Sequence, residues 1–315
     1  MTAISSPEAW IDLHTHSTAS DGTLTPAAVI DAAKAAGLAA IALTDHDTGN
    51  GLHEAADRAA LVGLRFVPGI EISAEYPPPG TLHILGYFID PDSPALEAMS
   101  RILLEGRNAR NPRIIQRLNE LGCAVSMDQV RAIAQRGTAA SGAVVVGRPH
   151  IAQALVDAGC VATTKQAFDV YLGVGGAAYF DKERLTPRQA IDCIHRTGGL
   201  AVLAHPVQLR ALNHAALGHI ISNLKDIGLD GIEVWHSDHR PQDTELFMQL
   251  ARRYRLIPTG GSDFHGHNKP GIDLGLAGGK VRVSMQVLED LQERRRASEE
   301  SISKHRGSCV GPARF

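Results

Sequence analysis

Cysteine is scarce in this chain: four residues among 315, Cys123, Cys160, Cys193 and Cys309, with no Cys-x-x-Cys pair. That scatter supports neither a zinc knuckle nor a disulfide framework, so all four read as plain thiols. Long apolar runs are missing as well. None approaches the roughly 18 residues needed to cross a bilayer, and no basic-plus-apolar leader precedes Trp10. The expectation is a soluble cytoplasmic protein with no membrane partner. Net charge is also small, −3, which argues against a broad basic surface for long nucleic acid and leaves room only for a local anion pocket.

What the chain does have is an ordinary apolar content of 44%, enough for a sizeable core. Its length exceeds the usual single domain, but α/β barrels run this long as one unit, so a barrel with an insertion is as plausible as two domains. It also has fifteen histidines, and they are not scattered. Asp12-Leu13-His14-Thr15-His16, then Asp21, then Thr44-Asp45-His46-Asp47 place four potential metal ligands within the first fifty residues. Trp10 to Leu13 reads as a strand, on which residues two apart face the same side, so His14 and His16 can hold one ion together.

Further ligand types follow apolar runs: Glu71 after Phe66 to Ile70, His83 within Leu82 to Tyr87, His205 after Leu200 to Ala204, and Asp263 and His265 after Leu256 to Gly261. One His-x-His is weak evidence. The whole set is strong, because polar groups repeatedly placed at strand ends would cost several kcal/mol without partners. Asp45 and Asp47 flank His46. Either can orient a ligand histidine, though a turn cap is the better reading of Asp47. His53, His195, His214, His219 and His305 fall outside the set and read as solvent-exposed.

Seven segments read as strands: Ile11–Leu13, Ala39–Leu43, Phe66–Ile70, Leu82–Phe88, Ala201–Leu203, Gly231–Trp235 and Ile257–Gly260. Helical patterns alternate with them, as where Thr25 caps and Pro26 opens a helix, which implies a mostly parallel sheet. Ligands at the carboxyl ends of such strands are where barrels build active sites. His14 and His83 sit at or inside their strands and must project inward. Between residues 92 and 172 the strand pattern lapses into helical stretches, such as Arg101 to Leu121 and Val130 to Gln135. The expected organisation is therefore a barrel over 10–91 and 173–288, a helical insertion over 92–172, and a tail over 289–315 that frays into disorder after a short helix.

The series His14-Thr15-His16, Asp21, Thr44-Asp45-His46-Asp47, Glu71, His83, Ala204-His205-Pro206 and Ser262-Asp263-Phe264-His265 resembles the PHP family, the polymerase and histidinol phosphatase domain. Gly147 to Ala152 and Leu185-Thr186-Pro187 are similar to one branch, the bacterial 3′,5′-nucleotide bisphosphate phosphatases and related 5′-to-3′ exoribonucleases. The resemblance implies a distorted seven-stranded (β/α) barrel and three divalent ions. The first would take His14, His16, Glu71 and Asp263. Glu71 would bridge to a second on His83 and His205, and Asp21, His46 and His265 would hold the third. Imidazole and carboxylate donors without thiolates fit Mn²⁺, Fe²⁺ or Zn²⁺, with manganese first by resemblance.

Such a site suits attack of a metal-bound hydroxide on a phosphate ester, with Asp263 or His205 managing the leaving-group proton. Arg148 can clamp a phosphate, His150 and His239 can donate to it, and Lys182 can add charge. A cationic anchor apart from the metals suits a substrate with two phosphates. The branch resemblance implies that the anchor holds the 5′-phosphate of a nucleotide while the 3′-phosphate is removed, as in adenosine 3′,5′-bisphosphate. The alternatives are a 5′-to-3′ exoribonuclease on short oligonucleotides, a histidinol-phosphate phosphatase, a metal-dependent amidase, and a non-catalytic metal-binding module.

Overall fold

A computed structural model describes residues 9–135, 145–279 and 282–308, the side chains of 301–308 excepted. The strands are β1 (Trp10–Asp12), β2 (Ala40–Leu43), β3 (Arg65–Ala74), β4 (Leu82–Tyr87), β5 (Leu200–Leu203), β6 (Gly231–Trp235), β7 (Ile257–Gly260) and β8 (Val283–Ser284). The helices are α1 (Pro26–Ala35), α2 (Leu52–Val62), α3 (Pro94–Glu120), α4 (Met127–Ala134), α5 (Arg148–Asp157), α6 (Thr164–Ala167), α7 (Pro187–Arg196), α8 (His214–Asp226), α9 (Pro241–Tyr254) and α10 (Gln286–Ser308). None of the described helices is long and apolar enough to cross a membrane.

The strands form one sheet in the order β7-β6-β5-β4-β3-β2-β1-β8. It curls into a nearly closed barrel, because the chain beyond β1 meets the chain beyond β7. His16 donates its N–H to Phe264 O at 2.9 Å, and Asp263 donates to His14 O at 2.8 Å. Gly261 permits this approach, since a Cβ there would lie 2.4 Å from His14 N. Two features refine the sequence reading of a mostly parallel barrel. An eighth strand, β8, lies antiparallel to β1. β4 runs antiparallel to both β3 and β5, while the remaining neighbours among β1 to β3 and β5 to β7 are parallel. The reason is connection length: the loop between Ala74 and Leu82 is too short for a parallel crossover, which needs a dozen or more residues.

Strand alternation sorts the apolar residues into two layers. Ile11, Leu13, Ala40, Ala42, Val67, Leu85 and Val202 pack together as one core, and Ile41, Leu43, Ile70, Ile72, Ile84 and Ile232 pack with the helices in another. Thr25 caps α1 by accepting from the Ala28 N–H, with Pro26 in the first turn, as its sequence suggests. The stretches expected to be helical inside 92–172 are so, and a third core built on Ile114, Leu118, Val130, Ile151 and Leu155 holds them together. α3 joins this unit to the barrel: Leu96, Met99 and Leu103 belong to the core of the barrel helices, Ile114 and Leu118 to the other.

The terminal helix expected after Glu289 is present and runs to Ser308. Val287, Leu288 and Leu291 are buried with the inner barrel residues, and Arg294 pairs with Asp230 at 3.3 Å. Residues 309–315, with Cys309, lie outside the described residues. Cys123, Cys160 and Cys193 are free thiols.

Candidate metal centre

All nine residues expected as ligands converge at one end of the barrel, where the chain leaves β1, β2, β5 and β7. β4 reaches the same end with its first residues because it runs the other way, which is why His83 sits near the start of its strand. Glu71 pairs with Leu85 and Ser73 with His83, so Glu71 and His83 are diagonal neighbours across the β3–β4 ladder. The chain after β2 runs beside Glu71, bridging it to His46.

Glu71 is the centre of the cluster. Its Oε2 lies 3.4 Å from His14 Nε2, 3.3 Å from His16 Nε2 and 3.0 Å from His46 Nδ1. Its Oε1 lies 2.8 Å from His83 Nδ1 and 2.9 Å from His205 Nε2. Asp263 Oδ1 is 3.6 Å from His14 Nε2 and 3.3 Å from His16 Nε2. Asp21 faces His265 Nε2 at 3.3 Å, His16 Nδ1 at 3.8 Å and His46 Nε2 at 3.9 Å.

These groups are buried, His46 and His83 only partly, and several of their buried atoms have no hydrogen-bond partner: His14 Nε2, both ring nitrogens of His16, His46 Nδ1, Glu71 Oε2 and His205 Nδ1. Orphaned polar atoms of this kind are rare in proteins and call for a ligand. Asp47, His205 and Asp263 also hold positive φ angles of 60°, 21° and 59°, strain that sites of function accumulate. Burial opposes charge on Glu71, but the imidazoles of His46, His83 and His14 hold it well below the usual carboxylate range. Burial likewise opposes ionisation of Asp263, which Lys269, His14 and His265 nevertheless hold low. Burial pushes His46 down to about 3 despite Glu71 and Asp21. Anionic carboxylates beside imidazole nitrogens that lack a hydrogen-bond partner are the donor set that a divalent cation takes, so the residues fit a metal.

A second layer of residues, which the sequence reading missed, fixes these donors. Glu233 accepts at Oε1 from His14 Nδ1 (3.0 Å) and at Oε2 from the His205 backbone N–H (2.7 Å). Its signal was a lone acid inside the apolar strand β6. Asp12 accepts from the backbone N–H groups of His14, Ser262 and Gly275 at 3.2, 2.9 and 2.7 Å, stitching β1 to the loop after β7. His265 donates Nδ1–H to Asp263 O at 2.9 Å, which turns Nε2 toward Asp21. Asp45 orients no ligand histidine. It accepts from the Ser17 N–H and hydroxyl and from Ser20 Oγ, shaping the loop that carries Asp21.

Comparison with known proteins agrees with this geometry. Residues 12–134 match the PHP domain. A 3′,5′-nucleoside bisphosphate phosphatase of Chromobacterium violaceum is 36% identical over 90% of this chain and 97% of its own. That likeness over nearly the whole length decides the family. The chain belongs to the PHP family. The 5′-3′ exoribonuclease Rnm of Escherichia coli is 34% identical over 84% of this chain and 87% of its own. A solved structure from Bifidobacterium adolescentis, assigned as a metal-dependent phosphoesterase, superposes with a TM-score of 0.80 at 31% identity, covering 91% of this chain and 97% of that one. This PHP protein is a metal-dependent phosphoesterase.

Two adjoining cavities open on the PHP ligands. One, of about 250 Å³, is bordered by Glu71, His205, Asp263, His265 and Lys269. The other, of about 180 Å³, is bordered by Arg107, Arg110, Arg148, Lys182 and Arg184, and the two share Asp21, His46 and His83. Arg148 lies 5.6 Å over the Tyr179 ring and donates to Leu172 O at 2.9 Å. Lys182 donates to Asp47 Oδ2 at 2.6 Å, and Arg107 pairs with the same oxygen. Asp47 is thus an anchor for two cations, and the turn-cap reading gives way. Its position directly after His46 ties the cationic cavity to the ligand set.

His150 and His239 each engage the backbone through Nδ1. His150 accepts the Gly147 N–H at Nδ1 (3.1 Å), so it caps its own helix. His239 borders neither cavity. It donates to Val234 O at 2.9 Å, packs edge-on against Phe247 and sits behind His236. Arg107 and Arg110, one helical turn apart on α3, were missed: their side of that helix faces the barrel only once the insertion folds back. His53, His195, His214 and His219 are exposed as expected; the side chain of His305 lies outside the described residues.

Proposed function

We propose that this protein removes the 3′-phosphate of nucleoside 3′,5′-bisphosphates, releasing the nucleoside 5′-monophosphate and phosphate. The observation that carries this reading is the cation-rich cavity adjoining the ligand cavity. A substrate with one phosphate among Arg148 and Lys182 and another beside Glu71 and Asp263 would occupy both. The reading takes three divalent ions, manganese first and iron or zinc next. His14, His16, Glu71 and Asp263 would hold one, Glu71, His83 and His205 the second, and Asp21, His46 and His265 the third. Bound there, such ions supply a water nucleophile near neutral pH and positive charge for the phosphoryl oxygens.

The protein's own part is placement. Glu233 and Asp12 hold the strand ends in register, so that His14, His205 and Asp263 meet the reacting phosphate in a fixed arrangement. Asp263 and His205 border the reaction cavity, and the proton for the leaving 3′-oxygen passes through one of them. Arg148 and Lys182 bind the 5′-phosphate and thereby select substrates that carry it.

The test compares adenosine 3′,5′-bisphosphate with adenosine 3′-monophosphate. Charge-assisted hydrogen bonds contribute about 1.5–3 kcal/mol each, so loss of the 5′-phosphate should lower kcat/KM by roughly 10²-fold. Arg148→Ala should lower kcat/KM for the bisphosphate and leave the monophosphate unchanged. Equal turnover of the two nucleotides would refute the anchor, and turnover of histidinol phosphate alone would favour that phosphatase class. Cleavage of a 5′-phosphorylated dinucleotide at a comparable rate would extend the reading to 5′-to-3′ exoribonuclease action, the activity named for the E. coli relative.

A further inference from the structure

Asp263 divides its two oxygens between different tasks. Oδ1 faces the ligand imidazoles, with His14, His16 and His265 nitrogens at 3.6, 3.3 and 3.3 Å. Oδ2 faces away from them and takes two donors, His236 Nε2 at 3.2 Å and the Lys269 ammonium. Neither donor belongs to the ligand set, and the two differ in what they have left to give.

His236 is 2% exposed. Its Nδ1 accepts the Asp238 backbone N–H at 3.0 Å, so the proton of a neutral ring lies on Nε2 and is committed to Asp263. Rings of His14 and His205 lie against it, with centroids 5.7 and 5.1 Å away. His236 therefore has no donor for a substrate. Lys269 is 39% exposed along its side chain. An ammonium has three protons, and one serves Asp263. The residue borders the ligand cavity together with His205, Gln208 and Asn268, so its other protons face the space where a phosphoryl group would lie.

We infer that Lys269 is a further catalytic residue, donating to the non-bridging oxygens of the transferred phosphoryl group, while His236 is a positioning residue that holds Asp263 in place. In phosphoryl transfer, charge collects on the equatorial oxygens as the bond to the leaving oxygen breaks and the bond to water forms. A cation placed beside them in advance stabilises that state more than the ground state. The inference rests on phosphoesterase chemistry and not on the identity of the ester.

The test uses the full chain loaded with Mn²⁺, whichever phosphate ester the wild-type protein turns over, and inorganic phosphate binding measured by calorimetry as a readout independent of turnover. Lys269→Met should lower kcat by about 10²-fold, weaken inorganic phosphate about tenfold and leave Mn²⁺ content unchanged. Lys269→Arg should recover part of both. His236→Leu should weaken Mn²⁺ binding, and His236→Gln, whose amide nitrogen can replace Nε2, should retain it. Wild-type kcat or phosphate affinity in Lys269→Met would overturn the catalytic role. So would restoration of its kcat by added Mn²⁺, since that would make Lys269 a clamp on Asp263 only. Unchanged Mn²⁺ affinity in His236→Leu would overturn the positioning role.

Discussion

At the scale of single residues, the site divides into groups that announce themselves and groups that do not. His14, His16, Asp21, His46, Glu71, His83, His205, Asp263 and His265 were legible because ligand-type side chains recur where apolar runs end. Glu233, His236 and Lys269 were not, because their roles depend on which strand or loop lies beside them, and Arg107 and Arg110 look like any charged helix face until the insertion folds. Glu233→Ala should weaken metal binding by about 10- to 100-fold by freeing His14, measured by Mn²⁺ titration; unaltered affinity would deny it that role. Lys182 yields a pH prediction. Burial and the neighbouring Arg107 charge push it down to about 7, against the pull of Asp47. It carries its charge below that pH and loses it above. KM for the bisphosphate should therefore rise between pH 7 and about 9, while Lys182→Arg should flatten the rise. A wild-type profile as flat as that of the variant would show that Lys182 does not bind the anion.

At the scale of elements, seven strands were readable and their order around the sheet follows the chain. The direction of β4 was hidden in a loop length, and β8 is two residues long, too short to leave a pattern. α10 leaves only a weak pattern for a different reason: its exposed face is dominated by charge, and its apolar anchors are few. Those anchors are nonetheless buried, Leu291 completely. Leu291→Ala should destabilise the protein by about 2–5 kcal/mol, read from urea unfolding. A cost within about 0.5 kcal/mol, the range of ordinary surface substitutions, would return α10 to the status of a frayed end. The barrel positions the site through such packing, since β1 and β7 must meet for His14 and Asp263 to share a centre.

At the scale of the molecule, a nearly closed barrel presents one end as a crowd of carboxylates and imidazoles, with a helical unit bringing cations against it. Ions that bind the folded state alone stabilise it by mass action, about 2.7 kcal/mol at a hundredfold excess over Kd. Mn²⁺ should therefore raise Tm and a chelator should lower it, with wild-type protein responding more than Glu71→Gln. The central claim, that the ligand end attacks the 3′-phosphate while the cationic cavity holds the 5′-phosphate, is tested most directly by product identity. Mn²⁺-loaded protein given adenosine 3′,5′-bisphosphate should release adenosine 5′-monophosphate and phosphate, resolved by chromatography. Release of adenosine 3′-monophosphate would reverse the assignment of the two cavities, and absence of turnover would contradict the account altogether.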